Sequence, residues 1–220
     1  MKKAFTMIEL VFVIVVIGIL AAVIIPNTRT NPLYEAATQL VSHIRYTQHL
    51  AMVDDKFNAN DSNWYKNKWQ LLFGKSNTGS KNTGNYYAYT IFSDYLGTSA
   101  GNPELAEMAI NPLDNTKVLS GGYSGEIDWE DSQATKKLNI GYSYGVDNVT
   151  QSGCGAKRIS FDNLGRPFQG DDSSWTSSVD GILNAVCTFT LHKGSDTVSI
   201  SIQPETGYTC ILNEAGTGCI

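Results

Sequence analysis

Ala4-Phe5-Thr6-Met7-Ile8-Glu9, continued by an apolar run from Leu10 to Ile25 and closed by Pro26, carries a single ionisable side chain, Glu9. An ionised carboxylate in a segment that otherwise favours lipid costs roughly 2.5–3.5 kcal/mol even on mild insertion scales. Glu9 therefore calls for a partner. From Phe5 to Ile25 the segment is long enough for one helix to cross a hydrocarbon core about 30 Å thick, at about 1.5 Å per residue. Lys2 and Lys3 stand before it, so the positive-inside bias puts the N-terminus in the cytoplasm and everything after Pro26 on the far side.

A secretory signal peptide shares the basic start and the apolar stretch. Here the basic part is short, and the apolar part exceeds the usual range of about 7–15 residues. The polar Asn27-Thr28-Arg29-Thr30-Asn31 offers no small-x-small cleavage site. A cleaved signal and a plain single-pass anchor are the competing readings.

The run Ala4-Phe5-Thr6-Met7-Ile8-Glu9 before an apolar helix resembles the class III leader of type IV pilins and type II secretion pseudopilins. The resemblance covers about the first thirty residues. Ala4 stands where the family more often has Gly, and Met7 where it more often has Leu. It implies cleavage after Ala4 by a prepilin peptidase on the cytoplasmic side, methylation of the new Phe5 amine, and retention of the helix as both anchor and polymerisation stem. Glu9 then falls on the fifth residue of the mature chain, where the family carries its glutamate.

The physics of Glu9 leads to the same place. A carboxylate in low dielectric is neutralised unless a cation approaches, and in an array of identical helices the nearest free cation is the Phe5 amine of a neighbouring chain. That pairing would set the stagger between subunits. The bland alternative is a glutamate snorkelling to the headgroups, in which case Glu9 would be replaceable.

After Pro26 interrupts the ladder, Asn31-Pro32 offers a cap followed by proline at the first helical position. Leu33, Ala37, Leu40, Val41, Ile44 and Ala51 recur at three- and four-residue spacing, which predicts an amphipathic helix to about Val53 whose stripe needs a sheet. Strand-forming runs lie at Trp69–Phe73, Tyr86–Phe92, Gly125–Trp129, Leu138–Tyr144, Arg158–Phe161, Val186–His192 and Val198–Gln203, separated by clusters of Gly, Asn, Ser and Asp. The last two form the clearest hairpin, with Lys193-Gly194-Ser195-Asp196 as its turn. Asn102-Pro103 before Glu104–Ile110 predicts a short surface helix with an asparagine cap. The fold expected is α+β, a long N-terminal helix on a mostly antiparallel sheet, which is also the pilin arrangement. The expected organisation is a leader at 1–4, a membrane and polymerisation helix at 5–26, its amphipathic continuation at 27–57, and one β-rich periplasmic domain at 58–220, in which Asn58–Ser80 and Thr98–Gly122 are loop-like insertions.

The formal charge is −5, and losing Lys2 and Lys3 with the leader makes it −7. With no basic stripe, direct nucleic-acid binding is not expected; Lys136-Lys137 and Lys157-Arg158 read as solvated strand ends. Four cysteines, all beyond Gly153, suit an oxidising compartment, and of three pairings Cys210–Cys219 with Cys154–Cys187 ties down a chain end and staples a loop to the hairpin. Without a C-x-x-C, a zinc site is not expected.

Gly141-Tyr142-Ser143-Tyr144-Gly145 fits the G-x-S-x-G elbow, and Asp162 or Asp180 and then His192 follow in hydrolase order. The elbow needs a helix after the turn, and Val146–Lys157 has no helical periodicity, so Ser143 reads as an ordinary strand serine. His43 and His49, six apart on a helix, point to different sides. No nucleotide fingerprint or EF-hand loop is present. No catalytic residue, metal or cofactor is expected.

By resemblance the chain would be a filament subunit anchored in the inner membrane, with other pilins or pseudopilins, the prepilin peptidase and an inner-membrane platform protein as partners. Leu40–Val53, the strand Lys68–Phe73 and Arg158-Ile159-Ser160-Phe161-Asp162-Asn163-Leu164-Gly165-Arg166-Pro167 resemble the minor pseudopilins near the filament tip. A membrane-anchored periplasmic hydrolase or binding module is the alternative.

Overall fold

The computed structural model describes residues 6–24, 31–76, 85–96, 101–123, 126–170 and 172–220. It divides into two compact units, Met1–Asn31 and Pro32–Ile220. Ala4, Phe5 and Pro26 lie outside the described residues.

The first unit holds α1, Met7–Ile24. Valine and isoleucine are indifferent helix formers in water; a helix of them satisfies its own backbone where no water can. The described helix is 18 residues long, a rise of ~27 Å against a core of about 30 Å. Among the described residues no helix is long and apolar enough to cross a membrane. The span expected from Phe5 to Pro26 begins and ends outside them. Every side chain from Met7 to Leu20 is exposed.

In the second unit α2, Pro32–Val53, starts on the proline expected and stops at Val53, short of the 57 of the predicted organisation. Leu33, Ala36, Ala37, Leu40, Val41, Ile44, Thr47 and Ala51 are its buried face. That face lies on two four-stranded antiparallel sheets. The first has the order β2-β1-β6-β7, from β1 (Trp69–Ser76), β2 (Tyr86–Ser93), β6 (Arg158–Phe161) and β7 (Pro167–Gln169). The second has the order β10-β9-β8-β5, from β5 (Asn148–Ser152), β8 (Cys187–Lys193), β9 (Asp196–Ile202) and β10 (Thr209–Ile211). One core joins them: Leu40 and Ile44 of α2, Leu71 and Ile91 of the first sheet, and Phe189, Leu191 and Ile200 of the second are all fully buried. Phe73 and Phe189 meet across the sheets at 5.1 Å between ring centroids.

The predicted hairpin is present, with Lys193 paired to Asp196 around Gly194-Ser195. Gly194 has φ +60°, the left-handed geometry a two-residue turn requires. Other predicted elements are corrected. Leu138–Tyr144 is not a strand: it closes a 3-10 turn (Lys136–Leu138) and forms a short helix, α3 (Ile140–Tyr144), capped by the Asn139 side chain on the Tyr142 N–H and ended by Gly145 at φ +76°. The described part of Gly125–Trp129 forms bends and turns. The surface helix is a single 3-10 turn, Leu105–Glu107, closed by a capping box of Glu104 and Glu107 rather than by Asn102. A two-stranded ribbon, β3 (Ile110–Asn111) and β4 (Asp114–Val118), occupies the stretch read as loop.

Both expected disulfides are formed, Cys154–Cys187 with a Cα separation of 4.9 Å and Cys210–Cys219 with 5.6 Å. The second joins cysteines 9 apart in sequence, a constraint worth about 2–3 kcal/mol against the unfolded chain.

Candidate functional site

At the start of α1, Thr6 and Glu9 form a capping box. The Thr6 N–H and hydroxyl donate to Glu9 Oε2 at 2.9 and 2.8 Å, and the Glu9 N–H donates back to Thr6 Oγ1 at 3.4 Å. Two backbone donors that the first turn leaves unsatisfied are thereby occupied. The carboxylate also lies at the helix end where the macrodipole favours negative charge. Glu9 thus has a partner within its own chain, Thr6, a hydrogen-bond donor and not a cation, in the T-x-x-E pattern of a capping box. Beyond the cap, the Leu10–Leu20 surface of α1 is apolar all round, so no face of it is suited to water. A helix of this kind with one acceptor at its mouth can be held by lipid or by other helices, with a carboxylate oriented for a donor at that end.

In the second unit the polar chemistry is turned inward. His43 of α2 is half-buried, with Nδ1 2.7 Å from the Tyr89 hydroxyl, and desolvation lowers its pKa to about 4. Gln39 donates to the same hydroxyl at 2.8 Å and accepts from Tyr144 at 2.8 Å, linking α2, β2 and α3. With its oxygen accepting from Gln39, the Tyr89 hydroxyl donates its hydrogen bond to His43, in the tautomer whose Nδ1 carries no proton. His49 is exposed on the same helix, so the two histidines are apart as expected.

Lys68 is 6 % exposed, and its ammonium lies 4.4 Å from the Phe168 ring centroid and 4.9 Å from that of Trp175. Burial lowers its pKa to about 8, opposed by the carboxylates of Asp162 and Asp172. Arg158 and Asp172 form an ion pair at 3.0 Å with side chains 7 % and 3 % exposed. Gln70 donates to the other Asp172 oxygen at 3.2 Å, and Arg158 donates to the Gly101 carbonyl. This corrects the reading of Lys157-Arg158 as a solvated strand end: Arg158 fastens two loops to β6. Removing one partner of such a pair leaves a buried charge and costs about 3–5 kcal/mol. The partners are fourteen or more residues apart, so no local pattern announces them.

Ser143 lies within α3 and not on a strand, so neither the elbow nor the strand serine of the sequence reading is seen. Its hydroxyl donates to the Lys136 carbonyl at 3.0 Å. His192 Nε2 is 2.9 Å from the Thr150 hydroxyl, Asp162 holds Arg166 at 2.7 Å, and Asp180 caps the turn at Thr176 and Ser177. The order Ser, Asp, His in the chain is thus not a hydrogen-bonded triad in space. No group of three or more His, Cys, Asp or Glu side chains able to hold a metal occurs among the described residues. No family model, curated protein or solved structure matches this chain.

Proposed function

We propose that this chain is a structural subunit of a type IV pilus-like or type II secretion pseudopilus filament, a minor component placed near the tip. The observation that carries the reading is Glu9, the single charge in the helix Met7–Ile24, set five residues after Ala4 behind a leader of pilin type. The N-terminus is cytoplasmic, α1 spans the inner membrane until assembly, and the disulfide-bonded unit is periplasmic. Prepilin peptidase cuts after Ala4, a platform protein lifts the subunit, and other pilins or pseudopilins receive its helix. Glu9 then serves twice: Oε2 closes the cap of its own helix, and the remaining acceptor capacity of the carboxylate takes the Phe5 amine of the next chain. The chain's role is to pack and be displaced rather than to catalyse.

The test is the mature protein itself. Its intact mass should correspond to a chain beginning at methylated Phe5, and Glu9→Ala should leave cleavage and insertion intact while crosslinking to partner pilins falls by a hundredfold or more, in keeping with several kcal/mol per contact. Glu9→Gln keeps the shape without the charge and should also fail. A mature chain starting near Asn27, or undiminished assembly in both variants, overturns the reading.

A further inference from the structure

Of the four edges of the two four-stranded sheets, three are covered by the chain itself. Beside β2, the Ala109 N–H donates to Ile91 O at 2.9 Å, the Ile91 N–H to Leu119 O at 2.9 Å, and the Gly121 N–H to Tyr89 O at 3.0 Å. Outside β7, the Gln169 N–H donates to Gly181 O at 2.6 Å and the Leu183 N–H to Pro167 O at 3.0 Å. Outside β10, the Ile220 N–H donates to Ile211 O at 3.0 Å, on a segment tied back by Cys210–Cys219.

The fourth edge, β5, is different. It pairs with β8 in unbroken register from Asn148–His192 to Ser152–Thr188. Among the described residues no backbone N–H or C=O of 148–152 has a backbone partner on the other side. The Cys154 sulfur lies 3.4 Å from Ser152 O, but as a disulfide sulfur it has no proton to donate. Natural edges are blunted by proline, lysine, bulges or a covering segment. Asn148-Val149-Thr150-Gln151-Ser152 has no proline, lysine or bulge and no covering segment among the described residues, and Asn148, Thr150 and Ser152 are exposed while Val149 is buried. An unblunted, in-register edge is what an added strand requires.

Charge says what kind of strand. At the first residue of β5, the Tyr87 hydroxyl donates to Asn148 Oδ1 at 2.8 Å. Over the same tyrosine ring stand two ammonium groups, Lys157 at 4.9 Å and Lys75 at 5.1 Å from its centroid. Neither is ion-paired with a carboxylate among the described residues. In a chain of net charge −5, these two ammonium groups stand one tyrosine away from the first residue of β5, and the carboxylate of the preceding residue, Asp147, is taken up by the Gly194 N–H. A second copy's β5 brings no carboxylate between Asn148 and Ser152 to meet it.

We propose that β5 is a docking edge for an extended, acidic segment of a partner protein, which adds as a further strand beside β5 and sets a carboxylate against Lys75 and Lys157. The inference is independent of α1 and of Glu9.

The experiment is amide hydrogen exchange on the full chain in detergent micelles, with a synthetic octapeptide of alternating Thr and Val ending in Glu-Glu, and with its Lys-Lys counterpart. The acidic peptide should slow exchange within Asn148–Ser152 and leave the other sheet edges unchanged. Thr150→Lys puts an edge-blunting charge on an exposed position and should weaken binding at least tenfold with near-UV circular dichroism unaltered. Lys75→Glu combined with Lys157→Glu should reverse the preference toward the Lys-Lys peptide. No protection of β5 at millimolar peptide, equal binding of the two peptides, or indifference to Thr150→Lys overturns the proposal. Protection of the β5 amides that grows with protein concentration alone would assign the edge to a second copy and overturn it as well. Glu9→Ala should bind peptide normally, so failure here and failure of the filament reading are read separately.

Discussion

The two long helices of this chain solve opposite problems. α2 has a stripe of small and aliphatic side chains every three or four residues, and the same chain supplies the two sheets that bury it. α1 is apolar on every side, and its described side chains from Met7 to Leu20 are all exposed. Four polar side chains of α2 are consumed internally, Gln39 and His43 on Tyr89, Arg45 on the Thr209 carbonyl and Gln48 on the Gly165 carbonyl. The one polar side chain of α1, Glu9, has its partner among the described residues in its own cap. Periodicity therefore tells where a helix finds its partner: a helix with one apolar face completes its own domain, whereas a helix without a polar face takes its surroundings from outside, as lipid or as other helices.

The comparison breaks most directly at matched truncations. Leu40 is 0 % exposed, and Leu40→Ala should destabilise the unit Pro32–Ile220 by about 2–5 kcal/mol, read as a lowered denaturant midpoint with unchanged slope. Ile14 is 60 % exposed, and Ile14→Ala should leave that midpoint where it is in micelles. An equal loss from both would mean that α1 is part of the same cooperative unit and that the contrast between the helices is false.

How much of this could be read beforehand follows from the range of each interaction. The start of α2 at Pro32 and its apolar stripe to about Val53 are legible because proline and the spacing are local signals, although the continuation drawn to 57 overruns the helix, and the hairpin around Gly194 is legible because its arms alternate across a two-residue turn. Leu138–Tyr144 misled because its Ile and Tyr residues have strand propensity, while what decides its conformation is the Asn139 cap and the left-handed Gly145. Strands β7 and β10 are 3 residues each, too short for alternation to show, and β5 is defined by its distant partner β8. The Thr6–Glu9 box is local, T-x-x-E before an apolar run, and it satisfies the carboxylate with hydrogen-bond donors rather than with a cation. The Lys68 aromatic box and the Arg158–Asp172 pair have no local signature.

A finer contrast lies in acid. His43 faces the Tyr89 hydroxyl, whose oxygen already accepts from Gln39, so protonating Nδ1 sets a donor against an occupied acceptor in a half-buried site. Its pKa lies at about 4 in the folded chain, below the ordinary 6.5. A lowered value means that the unfolded chain binds the proton more tightly, so this contribution is fully present above about pH 6.5 and is lost as pH falls toward 4. Stability of the second unit should drop over that window by up to about 3 kcal/mol. His43→Gln, which keeps an acceptor for Tyr89 without a titrating group, should flatten the slope between pH 6.5 and 4. An unchanged slope would show that the loss arises elsewhere.

The smallest effect separates the two duties assigned to Glu9. Thr6→Ala removes the hydroxyl that donates to Glu9 Oε2 and accepts from the Glu9 N–H, while the Thr6 backbone N–H stays in place. Loss of an N-cap hydroxyl costs about 1 kcal/mol. A change of that size alters an equilibrium by roughly fivefold, so crosslinking of Thr6→Ala to partner pilins should fall by about that factor. Thr6→Ser, which keeps the hydroxyl, should restore it. Glu9→Ala should cost far more, because it deletes both the cap and the acceptor offered to the neighbouring chain. If Thr6→Ala and Glu9→Ala are instead equally damaging, then Glu9 does no more than close its own helix, and α1 would be an anchor whose charge faces no other subunit.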